Sequence, residues 1–272
     1  MGLLIVVLLA AGFALWLISA PLRLEWRRRA LRDRPFPPAW RTHLRRLPLY
    51  RALPPDLQQQ LKRHIQVFVA EKEFVGCDGL RVSDEMRVTI AALASALILN
   101  RQTNYYPKLH QILIYPGAFA VERRHIDAAG VQHRERQVLS GESWSHGQVV
   151  LSWHDIEQSL ADPAADHNVV IHEFAHQLDQ HHGGTANGAP AQGSRPAAQR
   201  WQAIMETEYV ALRDHIAQGW PTALDPYGAT NPAEFFAVAS EAFFGHSQRL
   251  AAHHPALYCE LARYYRVNPL SW

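Results

Sequence analysis

The stretch Val169-Val170-Ile171-His172-Glu173-Phe174-Ala175-His176-Gln177-Leu178-Asp179 limits the folds open to this chain more than any other feature. It contains His-Glu-x-x-His inside an apolar run. On a helix, side chains four apart share a face, with Cβ atoms about 6 Å apart. His172 and His176 can then grip one zinc ion at about 2.0–2.1 Å. Glu173 is turned aside, free to take a proton from an attacking water. Val169, Val170, Ile171, Phe174, Ala175 and Leu178 give the helix surface to bury. With 16 histidines in the chain, the short pattern can also arise by chance, so context must decide. A catalytic zinc needs a third protein ligand and an open position, so the fold must bring a further side chain to this helix.

Two candidates compete for that third position. His182 follows His176 by six residues, as in metzincins, but Asp179 stands where that pattern needs glycine. Six helical residues would also turn His182 by about 240° from His176. The only later methionine is Met205, inside the helical pattern Trp201–Leu212, so no Met-turn follows. The other candidate is Glu234, in Asn231-Pro232-Ala233-Glu234, where a second helix begins. Asn231 as N-cap and Pro232 at the first helical position also make Glu234 a capping-box residue, and the two roles compete for one carboxylate. Glu241 lies seven residues on, nearly on the same helix face, where it can support a ligand from behind. Asp179, three residues after His176, is placed to accept the ring N–H that His176 does not use for metal. Surface charge is the plainer role for both.

The chain has 272 residues, 48% hydrophobic and 19% charged, which excludes a mainly disordered protein. Two cysteines, Cys77 and Cys259, make no disulfide framework and no Cys-rich zinc knuckle. The net charge of +2 hides an asymmetry: ten arginines face only Glu25 and Asp33 between residues 21 and 51, and the remainder is net acidic. An acidic body gives no reason to expect nucleic acid as a partner.

Leu3 to Ala20 is uncharged and mostly apolar. At 1.5 Å per residue, its 18 residues reach about 27 Å, close to a bilayer core. The arginines that follow predict a single anchor in the inner membrane with the body in the cytoplasm, and lipid contacts through residues 3–20 and the arginine arm. The rival is a cleaved signal peptide and a secreted or periplasmic product, although nothing basic precedes the run. Residues 33–55 hold six prolines and read as a stiff connector. The expected division is an anchor over 1–21, an arginine- and proline-rich linker over 22–50, and a catalytic domain over 51–272.

Apolar residues recur at helical spacing from 55 to 72, and Ser83 caps a helix over Met86–Leu99. Gln111–Tyr115 reads as a strand and Val138–Trp153 as a hairpin, whose Val149–Trp153 arm can align an extended substrate or be an ordinary sheet edge. From Asp155 on, the pattern is mostly helical. The predicted fold class is α+β: a small, mostly antiparallel sheet packed among helices, preceded by one transmembrane helix.

The segments HEFAHQLDQHHGGTANGAP (172–190), DPYGATNPAEFFAVASEAFF (225–244) and YYRVNPL (264–270) resemble the Mlc titration factor A family. GESWSHGQVVLSW (141–153) and SDEMRVTIAALA (83–94) are similar to it as well. The resemblance implies a zinc-dependent peptidase with a minimal gluzincin-like domain and one zinc per chain. By position it puts the ligands at His172, His176 and Glu234, the catalytic glutamate at Glu173, and an oxyanion-steadying tyrosine at Tyr227. It also implies aminopeptidase-like or short-peptide specificity and a transcriptional repressor as a partner. Three functions follow from these readings: a peptidase acting on peptides or proteins, a regulator that docks a repressor, and a zinc hydrolase with another substrate.

Overall fold

The computed structural model describes residues 2–272 except 102, 127–131, 140, 145–146, 163–166 and 181–185. Its elements in chain order are α1 (Gly2–Ile18), α2 (Ala20–Arg32), α3 (Pro38–Leu44), α4 (Pro48–Ala52), α5 (Pro55–Glu71), β1 (Glu73–Gly76), α6 (Asp84–Ala96), β2 (Gln111–Tyr115), β3 (Phe119–Ile126), β4 (Gln132–Leu139), β5 (Gly141–Trp144) and β6 (Gln148–Ser152). Helices α7 (Trp153–Ala161), α8 (Val169–Asp179), α9 (Arg195–Ala217), α10 (Pro232–Gly245), α11 (Ser247–His253) and α12 (Pro255–Tyr265) follow.

The expected membrane anchor is overturned. Helix α1 stops at Ile18, the chain turns at Ser19, and α2 begins with Ala20-Pro21. Pro21 has no N–H to continue the ladder. Beside this break the Trp16 carbonyl accepts from Ser19 Oγ at 3.0 Å and from the Arg23 guanidinium at 2.6 Å. Among the described residues no helix is long and apolar enough to cross a membrane. The inner-membrane, single-pass placement that rested on that span falls with it.

The segment read as a linker packs onto the body. Arg28 of α2 is buried, and its guanidinium forks onto Glu71 of α5 at 2.7 and 2.8 Å and lies over the Tyr105 ring. Phe36, Leu44, Leu47, Tyr50 and Leu53 join the hydrophobic core. The proline density has a different cause from the one expected. Pro38, Pro48 and Pro55 each open a helix, where the missing N–H costs nothing and φ is already set.

The sheet corrects the predicted fold class. Its order is β1-β2-β6-β5, with β1–β2 and β2–β6 parallel and only β5–β6 antiparallel. Parallel pairing needs a crossover of a dozen or more residues, and α6 supplies it between β1 and β2. The expected hairpin accounts only for β5 and β6. Gly147 ends its turn at φ +81°, where a Cβ would sit 2.6 Å from the Lys108 carbonyl oxygen. Strand β6 lies inside the sheet and β5 forms its edge, so an edge-pairing role cannot belong to Val149–Trp153. β3 and β4 form a separate antiparallel ribbon.

Helix α6 opens on Ser83, whose Oγ accepts from Met86 N. It is buried from Val88 to Ala96 between α5 and α8. The rings of Phe68 of α5, Tyr106 and Phe174 of α8 meet edge-to-face or tilted, with centroids 4.9–6.2 Å apart. This apolar packing fixes α8 against the body and leaves its histidine face toward α10.

Candidate metal centre

Helix α8 is capped by Asn168, whose Oδ1 accepts from Ile171 N at 3.1 Å. Every residue from Val169 to Asp179 is buried. Four-residue spacing puts His172 and His176 on one face, with ring centroids 4.9 Å apart and Nε2 atoms 3.2 Å apart. Helix α10 packs alongside that face. At its first turn Asn231 Oδ1 accepts from both Ala233 N and Glu234 N. The Glu234 carboxylate turns away from the cap, and its Oε2 lies 2.9 Å from His172 Nε2 and 3.3 Å from His176 Nε2.

Those three atoms suit a metal. Four ligands at about 2.0–2.1 Å in a tetrahedron stand about 3.3 Å apart, close to the spacings seen here. Two imidazole nitrogens and one carboxylate oxygen, each within bonding reach of one point, are a divalent-metal donor set.

Behind His172 stands Glu241, also on α10 and almost fully buried. The His172 Nδ1–H donates to Glu241 Oε1 at 2.6 Å, which fixes the tautomer and leaves Nε2 facing the centre. The second oxygen of Glu241 accepts from Asn168 N and lies 2.9 Å from His167 Nδ1. Burial disfavours charge on His172, but Glu241 and then Glu234 outweigh it and hold the imidazole well above its ordinary range. Burial acts oppositely on Glu234, yet hydrogen bonds from His172 and His176 hold its carboxyl well below the usual carboxylate range. Glu241 is likewise lowered, its burial outweighed by the charge of His172. His167 escaped the sequence reading, because nothing in its spacing ties it to His172.

Glu173 is buried with the two histidines on α8. It is 5% exposed, and its Oε2 has no hydrogen-bond partner among the described residues. Burial raises its carboxyl, moderated by His172 and His176. Tyr227 lies on a 3₁₀ turn, Pro226–Ala229, just before α10. Its ring centroid is 6.0 Å from that of His172, and its side chain is half exposed.

Asp179 has a different partner from the one expected. Its Oδ2 accepts from Asn187 N and Gly188 N, each at 2.6 Å. His176 Nδ1 and Asp179 Oδ1 make no hydrogen bond among the described residues. His182 lies outside the described residues.

The profile of the family described as "Glucose-regulated metallo-peptidase M90" matches residues 23–266. An uncharacterised protein of Synechocystis sp. is 43% identical over 268 residues, 98% of this chain and 97% of its own length. Proteins called Mlc titration factor A from Yersinia pestis and Yersinia pseudotuberculosis are each 34% identical over 233 residues, 83% of both partners. Taken with the paired histidines of α8 and the carboxylate that α10 delivers to them, the match places this chain in the M90 family of metallopeptidases.

Proposed function

We propose that the chain is a zinc-dependent peptidase in which His172, His176 and Glu234 hold one zinc ion and Glu173 is the catalytic base. The observation that carries this reading is the meeting of His172 Nε2, His176 Nε2 and Glu234 Oε2 within 3.3 Å of one another. When bound, zinc supplies a Lewis acid able to lower the pKa of a water from 15.7 toward about 7. Glu173 Oε2 takes the proton of the attacking water and later gives it to the departing amine, work suited to a buried carboxyl whose pKa is raised. The Tyr227 hydroxyl, beside His172, donates to the carbonyl oxygen as negative charge grows there. Glu241 holds the His172 ring in place throughout. Strand β5 runs alongside α8 at the sheet edge, so an extended peptide can pair with its outer backbone. Aminopeptidase-like or short-peptide specificity belongs to this reading as the finer part of the family resemblance.

The test is direct. The full chain is purified, its metal measured, and a chromogenic peptide panel assayed with and without chelator. Zinc near one per chain and chelator-sensitive cleavage support the reading; metal-free protein that cleaves equally well sinks it.

A second reading rests on the relatives named Mlc titration factor A. On that reading the chain docks a transcriptional repressor, and peptide hydrolysis is weak or incidental. The Glu173→Gln variant separates the two, since it removes the base without removing a ligand.

A further inference from the structure

We propose that this chain carries a second binding site, away from the metal centre, for a small ligand bearing two or more phosphate groups. The site is a cavity of about 490 Å³ between α2, α3 and α5. Arg32 lines it from α2, Arg34 from the loop that follows, Arg41 and Arg45 from α3 and its cap, and Lys62 and Arg63 from α5. Asp33 is the one carboxylate in its lining.

Arg32 is paired with Glu25. Among the described residues, Arg34, Arg41, Arg45, Lys62 and Arg63 have no carboxylate within ion-pairing distance. Like charges gathered from four segments around one hollow repel each other, and a hollow lined mostly by one sign concentrates counter-ions. Beyond residue 51 the chain is net acidic, so this concentration departs from the average surface. The walls are also held in place. Buried Gln66 donates through Nε2 to the Arg34 carbonyl at 2.9 Å, pinning the loop onto α5. Phe36, Leu44 and Tyr50 form a buried floor, and Lys62 Nζ stands 5.8 Å from the Tyr50 ring centroid.

Guanidinium forks match phosphate oxygens two at a time, and five unpaired cations exceed what a single carboxylate can neutralise. The same chemistry could come from a free organic polyphosphate or from a lipid headgroup. An adjoining cavity that shares Arg32, Asp33 and Arg63 opens toward Trp26 and Arg29, so either source has a route in.

Calorimetric titration of the full chain with tripolyphosphate at low salt tests the site. Saturable binding at one site is expected, at least tenfold weaker in Arg41→Gln/Arg45→Gln and largely kept in Arg41→Lys/Arg45→Lys. The exposed distant pair Arg81→Gln/Arg195→Gln removes the same charge and should leave binding unchanged. Absence of saturable binding, or equal weakening by the distant pair, overturns the proposal. Sedimentation with phosphatidylcholine vesicles containing cardiolipin, whose headgroup bears two phosphates, assigns the source. Vesicle binding that depends on Arg41 and Arg45 and is displaced by tripolyphosphate marks a headgroup; vesicle binding indifferent to both marks a free phosphate compound. An oligonucleotide that binds the same arginines more tightly than tripolyphosphate would make this a nucleic-acid groove and end the proposal.

Discussion

Gly188 lies so close to Pro232 that a Cβ on Gly188 would fall 2.3 Å from the Pro232 carbonyl oxygen. Its φ of +77° is in any case disfavoured for other residues. Gly188 N donates to Asp179 at the end of α8, and Gly188 O accepts from Trp201 Nε1 at 2.9 Å. One residue thus joins the end of the histidine helix to the start of the helix that carries Glu234.

Gly188→Ala should therefore destabilise the protein by roughly 2 kcal/mol or more, through strain and the displaced Pro232. Urea denaturation measures it. Metal affinity should fall as well, because α10 must move away from α8. Unchanged stability and affinity would mean that the loop does not set the spacing.

Glu241→Gln should weaken metal binding by about 10–100-fold, as loss of a carboxylate behind a ligating histidine does. Competition with a fluorescent chelator reads it. His167→Ala, which removes only the outer contact to Glu241, should cost less. The reverse order would place the supporting role on His167.

Glu173→Gln should keep the metal and the fold while slowing peptide cleavage by about 10²–10⁴, the usual worth of a positioned base. Tyr227→Phe should lose about 10²–10³ if its hydroxyl meets the oxyanion. Both losses should appear in kcat more than in KM. A Glu173→Gln protein that cleaves peptides at full rate would remove the proposed mechanism.

How much of this was legible beforehand varies with the physics. The shared face of His172 and His176 was readable because a helix converts sequence spacing into spatial proximity. Glu234 was ambiguous, since capping and ligation want the same carboxylate; its approach to both histidines exists only once α10 lies against α8. The sheet's polarity was hidden, because parallel partners are chosen by crossovers such as α6 and leave no local pattern. The prolines of residues 33–55 were visible, but whether proline opens a helix or stiffens a connector depends on what buries the neighbouring residues. The apolar run was read for its length, and the weight of Pro21 after Ser19 was missed. His167 had no signal at all: its link to Glu241 exists only once α8 and α10 meet.

Stability should fall in mild acid through His64. Its Nδ1 meets the Tyr105 hydroxyl at 2.9 Å. Burial, then the nearby charge of Arg32, lowers its pKa to about 4. In the unfolded chain it titrates near 6.5, so between about 6.5 and 4 the unfolded state binds more protons and stability drops as pH falls. The full effect is on the order of 3 kcal/mol. Urea midpoints of wild type and His64→Gln should converge as the pH is lowered through that window. A constant gap between them would show that His64 is not buried neutral.

The most direct measurement is the metal content of four purified proteins, by plasma mass spectrometry after dialysis against a weak chelator. Wild type and Glu173→Gln should each hold about one zinc per chain, Glu234→Gln should hold far less, and His182→Ala should match wild type. Full zinc in Glu234→Gln together with loss in His182→Ala would contradict the account and move the third ligand to the other candidate.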